Sequence, residues 1–318
     1  MKAVVIEEYG APETLKLTDV PIPEVEKNEV LVKIFATTVV GSDIKVRKGL
    51  MKSFSGRKHP EHRILMGLEF SGEIVLCGSE VRRYKNGEKV FGMMNIWKGA
   101  RTYVEYVAVP DKYLWLKPEN ISHEEAASLT IGLLTSIRAL SDMCKIERGQ
   151  QILINGASGG VGVYALQLAK NSGAVVTAVC SSQSAAFVQE LGADFLINYD
   201  NEDFTDEEIE KYDVVFDINN NKSFSKCRKV IKPKGIYITT NPFKDLSGYI
   251  KSVFSSKKSA FLMVPHGSVE GLQQVKEIVE RGCIKPVIDE VFDIEDVENA
   301  HRYYESNRKG RVVLRVVK

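Results

Sequence analysis

Three glycines at equal spacing carry the clearest chemical implication in this chain. They sit in Ile152-Leu153-Ile154-Asn155-Gly156-Ala157-Ser158-Gly159-Gly160-Val161-Gly162, where an apolar strand runs into a turn and then into a helix. Gly156, Gly159 and Gly162 lack the side chains that would keep a pyrophosphate from the backbone. The amides of Ser158, Gly160 and Val161 lie between them, and the helix N-terminus adds N–H groups and partial positive charge. A tight strand–helix turn with no ligand is the plain alternative. The surrounding βαβ pattern favours a dinucleotide.

The end of the next strand bears on which dinucleotide. It reads Val179-Cys180-Ser181-Ser182-Gln183. An NAD site usually places Asp or Glu there to hold the ribose 2′-hydroxyl, and no carboxylate is present in this segment. The hydroxyls of Ser181 and Ser182 suit a 2′-phosphate, so NADPH is the expected cofactor, with NADH as the alternative. No Arg or Lys stands in the segment to balance the phosphate charge. His59 and His62 form an H-x-x-H among Arg57, Lys58, Glu61 and Arg63, which reads as a solvated loop rather than a metal site. Cys180 reads as a small buried thiol.

These residues need elements to position them. Candidate strands in the first third are Leu31 to Phe35, Glu73 to Cys77, Lys89 to Gly92 and Tyr103 to Val109, punctuated by Gly and Pro. From residue 152 the order changes to strands at 152–155, 175–180, 195–198, 213–217 and 235–240. Helices are expected after Gly162 and over 184–191 and 223–231. Strands alternating with helices imply a parallel sheet. In the tail, 269–279 and 296–306 read as helices, and 287–292 and 312–317 as strands. Lys251, Lys257 and Lys258, interleaved with Phe254, Phe261 and serines, read as a mobile surface stretch, with a nucleic-acid patch as the minority option.

Composition narrows the classes. The chain has 318 residues, enough for about two domains. Lys plus Arg number 43 and Asp plus Glu 42, a net charge of +1 that gives no general attraction for nucleic acid or anionic membrane. No apolar run approaches the roughly 20 residues of a membrane span. The five cysteines are scattered with no CxxC pair, which fits a reducing cytoplasm.

Over its whole length the chain resembles the medium-chain dehydrogenase/reductases, and most closely their zinc-independent, quinone-reductase-like (zeta-crystallin-like) branch. Gly67-Leu68-Glu69-Phe70-Ser71-Gly72, with Gly78 and Val81, fits the G-H-E-x-x-G-x5-G-x-x-V signature except at the His. Gly87 to Gly92 resembles the following G-D-x-V-x-G turn, Gly156 to Gly162 the G-A-S-G-G-V-G cofactor turn, and Ala300 to Val313 the closing helix and strand. The resemblance implies an α/β fold: a Rossmann doubly wound parallel sheet plus a discontinuous GroES-like β-rich catalytic domain. It places the catalytic domain at 1–118, the dinucleotide-binding domain at 119–267 and a return segment at 268–318.

The departures are equally informative. Where zinc-dependent members carry their catalytic ligands, this chain has Val40, Leu68 and, near the third position, Ile131. None offers a lone pair, and catalytic zinc needs three such ligands, so no metal is expected. Without zinc, a localised alkoxide would lack its counter-charge. A quinone or α,β-unsaturated carbonyl spreads the charge and is the expected substrate. The resemblance assigns Ser42 as proton donor or relay, Thr135 as a neighbour of the nicotinamide and Tyr199 as a neighbour of the adenosine phosphate; Lys45, shortly after Ser42, is a candidate oxyanion stabiliser by its charge, with a solvated surface lysine as the alternative. It also implies a homodimer. Two other functions stay open: an NADP-binding structural or RNA-binding protein, and a zinc alcohol dehydrogenase.

Overall fold

Val-, Ile- and Thr-rich runs in the first third favour extended chain, and the computed structural model forms eight strands there among the described residues. They are β1 (Lys2–Ile6), β2 (Leu15–Asp19), β3 (Glu29–Val39), β4 (Ile64–Leu65), β5 (Glu69–Cys77), β6 (Lys89–Met93), β7 (Tyr106–Pro110) and β8 (Leu114–Leu116). The structure describes residues 1–51, 64–96, 101–206, 211–241, 245–264, 266–306 and 308–317. His59 and His62 lie outside them. Two helices follow the strand pattern: α1 (Gly41–Arg47) after β3, and α2 (His123–Ile137) after β8. Ser122 and Glu125 form a capping box at the start of α2, with Glu125 N–H donating to Ser122 Oγ at 3.1 Å and Ser122 N–H to the Glu125 carboxylate at 2.8 Å.

The middle of the chain supplies β9 (Gln151–Asn155), α3 (Gly162–Asn171), β10 (Val175–Cys180), α4 (Ala185–Glu190), β11 (Phe195–Asn198), β12 (Tyr212–Asp217), α5 (Phe224–Cys227), β13 (Ile231–Thr239), α6 (Leu246–Val253) and β14 (Lys258–Phe261). The tail adds α7 (Val269–Glu280), β15 (Ile288–Asp293), α8 (Val297–Glu305) and β16 (Arg311–Arg315).

The chain divides into two compact units, one of Met1–Leu134 with Pro265–Lys318 and one of Thr135–Val264. In the first, β2, β1 and β4 form a three-stranded antiparallel sheet. A larger sheet runs β15-β16-β3-β5-β6-β8, with β7 also on β3. The return segment is woven into it, since β16 pairs antiparallel with β3, Val312 opposite Val39. In the second unit all six strands are parallel in the order β11-β10-β9-β12-β13-β14. Counted within the unit, this is 3-2-1-4-5-6, the order of doubly wound nucleotide-binding folds. Strand order reverses between β9 and β12, and ligands bind beyond the carboxyl ends of the strands at such a point.

Three local readings change. The strand expected at 103–109 begins at Tyr106; Val104 makes only an isolated bridge to Ala3. The helix expected over 223–231 stops at Cys227. Pro233 biases Lys232 away from helical backbone, and the chain enters β13 instead. The segment read as a mobile surface stretch contains α6 and β14; Asp245 caps α6 by accepting from Gly248 N–H at 2.9 Å.

Candidate functional site

The glycine turn lies at the switch point of the parallel sheet, between β9 and α3. Gly156 has φ +94°, a left-handed backbone that favours glycine, and an added Cβ would meet the Asn219 side chain at 2.6 Å. At Gly162 an added Cβ would lie 2.1 Å from the Gly156 carbonyl oxygen, so α3 can start this close to β9 only with glycine there. Gly156 and Ala157 N–H donate to the Val179 carbonyl at 3.2 and 3.3 Å, which ties the turn to β10. Ser158, Gly159, Gly160 and Val161 are the solvent-accessible part. Among the described residues, the amides of Ser158, Gly160 and Val161 donate to no backbone carbonyl. The turn therefore offers the accessible donors a pyrophosphate needs.

The loop beyond β12 is fixed by Asp217, which is fully buried. Its carboxylate accepts from Asn155 Nδ2 at 2.7 Å, Asn220 N–H at 3.0 Å, Lys222 N–H at 3.1 Å and Tyr237 O–H at 2.8 Å. Burial, with the Asp217 charge next in weight, raises the Tyr237 phenol far above its ordinary range, so it remains a donor. The bond between Asn155 and Asp217 carried no local sequence signal, because the two residues lie 62 apart in the chain.

At the carboxyl end of β10 the structure adds a group that the local sequence lacks. The segment 179–183 has no carboxylate of its own, but the loop after β11 brings one: Asp200 accepts from Ser182 N–H at 3.0 Å and from Ser182 O–H at 2.6 Å. Ser182 is thus already engaged, and the Ser181 hydroxyl donates to Ser184 Oγ at 3.2 Å. Tyr199 is half exposed, and its N–H donates to the Cys180 carbonyl at 3.1 Å. A cavity of about 380 Å³, lined in part by Asn155, Val179, Tyr199, Asp200 and Lys222, opens beside these residues.

In the first unit, Ser42 and Lys45 both lie on α1. The helix buries Asp43, Ile44, Val46 and Arg47; Ser42 is half buried and Lys45 exposed. Thr135 is buried in the last turn of α2. Val40 and Leu68 are buried in one apolar cluster against which Ile131 packs. The three positions that the sequence reading matched to zinc ligands thus share one apolar cluster. Among the described residues, no three His, Cys, Asp or Glu side chains group to hold a metal ion.

Glu69 has a structural task. Fully buried, it pairs with Arg311 of β16 and accepts from Thr38 O–H and from the Ile131 amide of α2. Arg311 also donates to Thr38 Oγ1 at 3.0 Å. One carboxylate thus joins β3, α2 and the return strand. Beside it lies a second buried chain. Tyr103 O–H donates to the Asp43 carboxylate at 3.1 Å and lies 3.3 Å from His301 Nε2, while Val40 N–H donates to Asp43 at 2.9 Å. Burial drives the Asp43 carboxyl up to about 7 against these hydrogen bonds and the Arg311 charge. Burial, reinforced by the Arg47 charge, drives His301 down to about 3.

Comparison with known proteins places this arrangement. Residues 26–119 match the alcohol dehydrogenase GroES-like domain and residues 191–314 the zinc-binding dehydrogenase family. The chain is 30% identical to the chloroplast envelope quinone oxidoreductase homolog of Arabidopsis thaliana, covering 99% of this chain and 98% of the relative. It is 32% identical to the chloroplastic NADPH-dependent alkenal/one oxidoreductase of the same plant, covering 99% and 79%. The structure of the quinone oxidoreductase from Coxiella burnetii matches with a TM-score of 0.90 at 28% identity, covering 100% and 99%. With its six-stranded 3-2-1-4-5-6 sheet, glycine turn and GroES-like unit, the chain belongs to the medium-chain dehydrogenase/reductase superfamily, among its quinone-oxidoreductase-like members.

Proposed function

We propose that the protein is a zinc-independent, NAD(P)H-dependent reductase of quinones or α,β-unsaturated carbonyls. The observation that carries the metal-free part is that Val40, Leu68 and Ile131, matched by the resemblance to the zinc-ligand positions, share one apolar cluster and offer no lone pair to a metal. The names of the relatives support both substrate class and cofactor.

The residues fit the cofactor. The amides of Ser158, Gly160 and Val161, with Gly156, Gly159 and Gly162 clearing the approach, would hold the pyrophosphate. Ser181, Ser182 and Tyr199 would flank the adenosine, and Thr135 the nicotinamide. A bound reduced nicotinamide supplies a hydride. Ser42 would pass a proton to the reduced substrate; its partial burial favours it for this role over Lys45, whose exposure leaves its charge in water. Conjugated acceptors suit such a site because they delocalise the charge that zinc would otherwise carry.

A homodimer completes the reading. The β14 edge of the parallel sheet lies beside exposed apolar residues Tyr249, Ile250, Val253, Phe254 and Phe261, and open edges of this kind pair with another strand. The cysteines are free thiols, which suits the cytoplasm; no helix among the described residues is long and apolar enough to cross a membrane. The test is nicotinamide oxidation by purified protein with a panel of quinones, enals and simple ketones, before and after chelator dialysis. Turnover of quinones or enals that survives dialysis is expected. Reduction of ketones alone, lost on dialysis, would overturn the reading.

A further inference from the structure

Asp200, in the loop after β11, reaches the segment that follows β10 and so bears on cofactor choice. Asp200 is not a loose surface side chain. Its oxygen accepts from both the amide and the hydroxyl of Ser182. Its own N–H donates to Asn198 Oδ1 at 3.0 Å, and Asn198 Nδ2 donates to Ser182 Oγ at 2.9 Å. The loop is further anchored by Tyr199 N–H on the Cys180 carbonyl. These hydrogen bonds, from the Ser182 side chain first and its amide second, hold the Asp200 carboxyl below the usual range, so it is charged at neutral pH. With its proton given to Asp200, the Ser182 hydroxyl has none left to donate to a phosphate.

The adjoining cavity does not compensate. Asp200, Glu202 and Asp203 line it, against one cation, Lys222. That ammonium is already committed: it lies 2.5 Å from the Asp203 carboxylate and 5.5 Å from the centre of the Phe204 ring. A 2′-phosphate here would face a fixed negative charge with no uncommitted cation among these lining residues. A ribose 2′-hydroxyl would instead find an acceptor. The usual acidic residue for this task ends the second strand; here the carboxylate comes from the loop after the third.

We propose that Asp200 sets cofactor specificity: it accepts the adenosine ribose 2′-hydroxyl and erodes the advantage of a 2′-phosphate, so that the protein takes NADH alongside NADPH. This rests on the reading of the second unit as a nicotinamide dinucleotide site and deepens it, because that reading leaves the choice between NADH and NADPH open.

The experiment is direct titration of purified protein with NADH and with NADPH, followed by nucleotide fluorescence, for the wild type, Asp200→Asn and Asp200→Thr. In the wild type, NADPH should bind no more than about tenfold tighter than NADH, and either substitution should move the ratio toward NADPH by about tenfold or more, or about 1.4 kcal/mol. Glu202→Gln, in the same cavity, should move the ratio less. A wild-type preference for NADPH above about tenfold, or an unchanged ratio in both Asp200 variants, would overturn the proposal while leaving the cofactor site standing. Binding of neither nucleotide at millimolar concentration would overturn both. The wild-type ratio decides the point even if a variant fails to fold.

Discussion

Asp43 and His301, joined through Tyr103, should give the protein two opposed pH dependences that hide one another. Asp43 ionises near 7 in the fold and near 3.8 when unfolded. Between those values the unfolded chain has released a proton that the folded chain keeps, so this group makes stability fall as pH rises. His301 titrates near 3 in the fold and near 6.5 unfolded. Between those values the unfolded chain holds a proton that the folded chain lacks, so this group makes stability rise with pH. Where both windows apply, from about pH 4.5 to 6, each slope is about 1.4 kcal/mol per pH unit and the two cancel. The charged groups facing the pair are Arg47 beside His301 and Arg311 beside Asp43. Asp43→Asn removes one arm, so the slope of unfolding free energy should become more positive than wild type by about 1.4 kcal/mol per unit. His301→Gln removes the other, and the slope should become more negative by the same amount. Urea unfolding at half-unit steps from pH 4.5 to 6, at constant ionic strength, reads both. Variants whose curves run parallel to the wild type would refute the reasoning, since neither group would then be changing its proton affinity on folding.

Other residues give sharper single outcomes. Gly162→Ala places a Cβ against the Gly156 carbonyl and should cost roughly 2–4 kcal/mol of stability by thermal or urea unfolding, with loss of nucleotide affinity. Glu69→Gln leaves the buried Arg311 charge uncompensated and should destabilise by about 3–5 kcal/mol, whereas Glu69→Gln with Arg311→Met should recover much of that loss. Ser42→Ala should lower turnover of a good conjugated substrate by about 10²-fold while leaving nucleotide affinity nearly intact; unchanged turnover removes Ser42 from proton transfer.

What the sequence made legible follows from the range of each signal. The parallel sheet was readable because apolar runs, glycines and helical spacing are local. The strands at 175–180 and 195–198 have the bounds expected, and the glycine turn lies where its spacing put it. The α6 helix also had a local signal, with Leu246, Tyr249, Ile250 and Val253 at helical spacing. The lysines around it drew attention to charge, and that apolar face is exposed rather than packed. The residues that shape the candidate site were hidden for a different reason. Asp200 reaches Ser182 across two loops, and Glu69 meets Arg311 from the far end of the chain. Only the pairing of β16 with β3 and of β10 with β11 brings them together. The substitution of aliphatic residues for metal ligands was visible in the sequence, but their convergence in one apolar cluster required the fold.

The central claim is hydride delivery to a conjugated acceptor without a metal. It is tested most directly by reacting chelator-dialysed protein with a nicotinamide deuterated at the transferring position and an α,β-unsaturated ketone, then locating the label by NMR. Deuterium on the β-carbon with the carbonyl retained is the expected result. Deuterium on the carbinol carbon of an allylic alcohol, or transfer that requires added zinc, would contradict it.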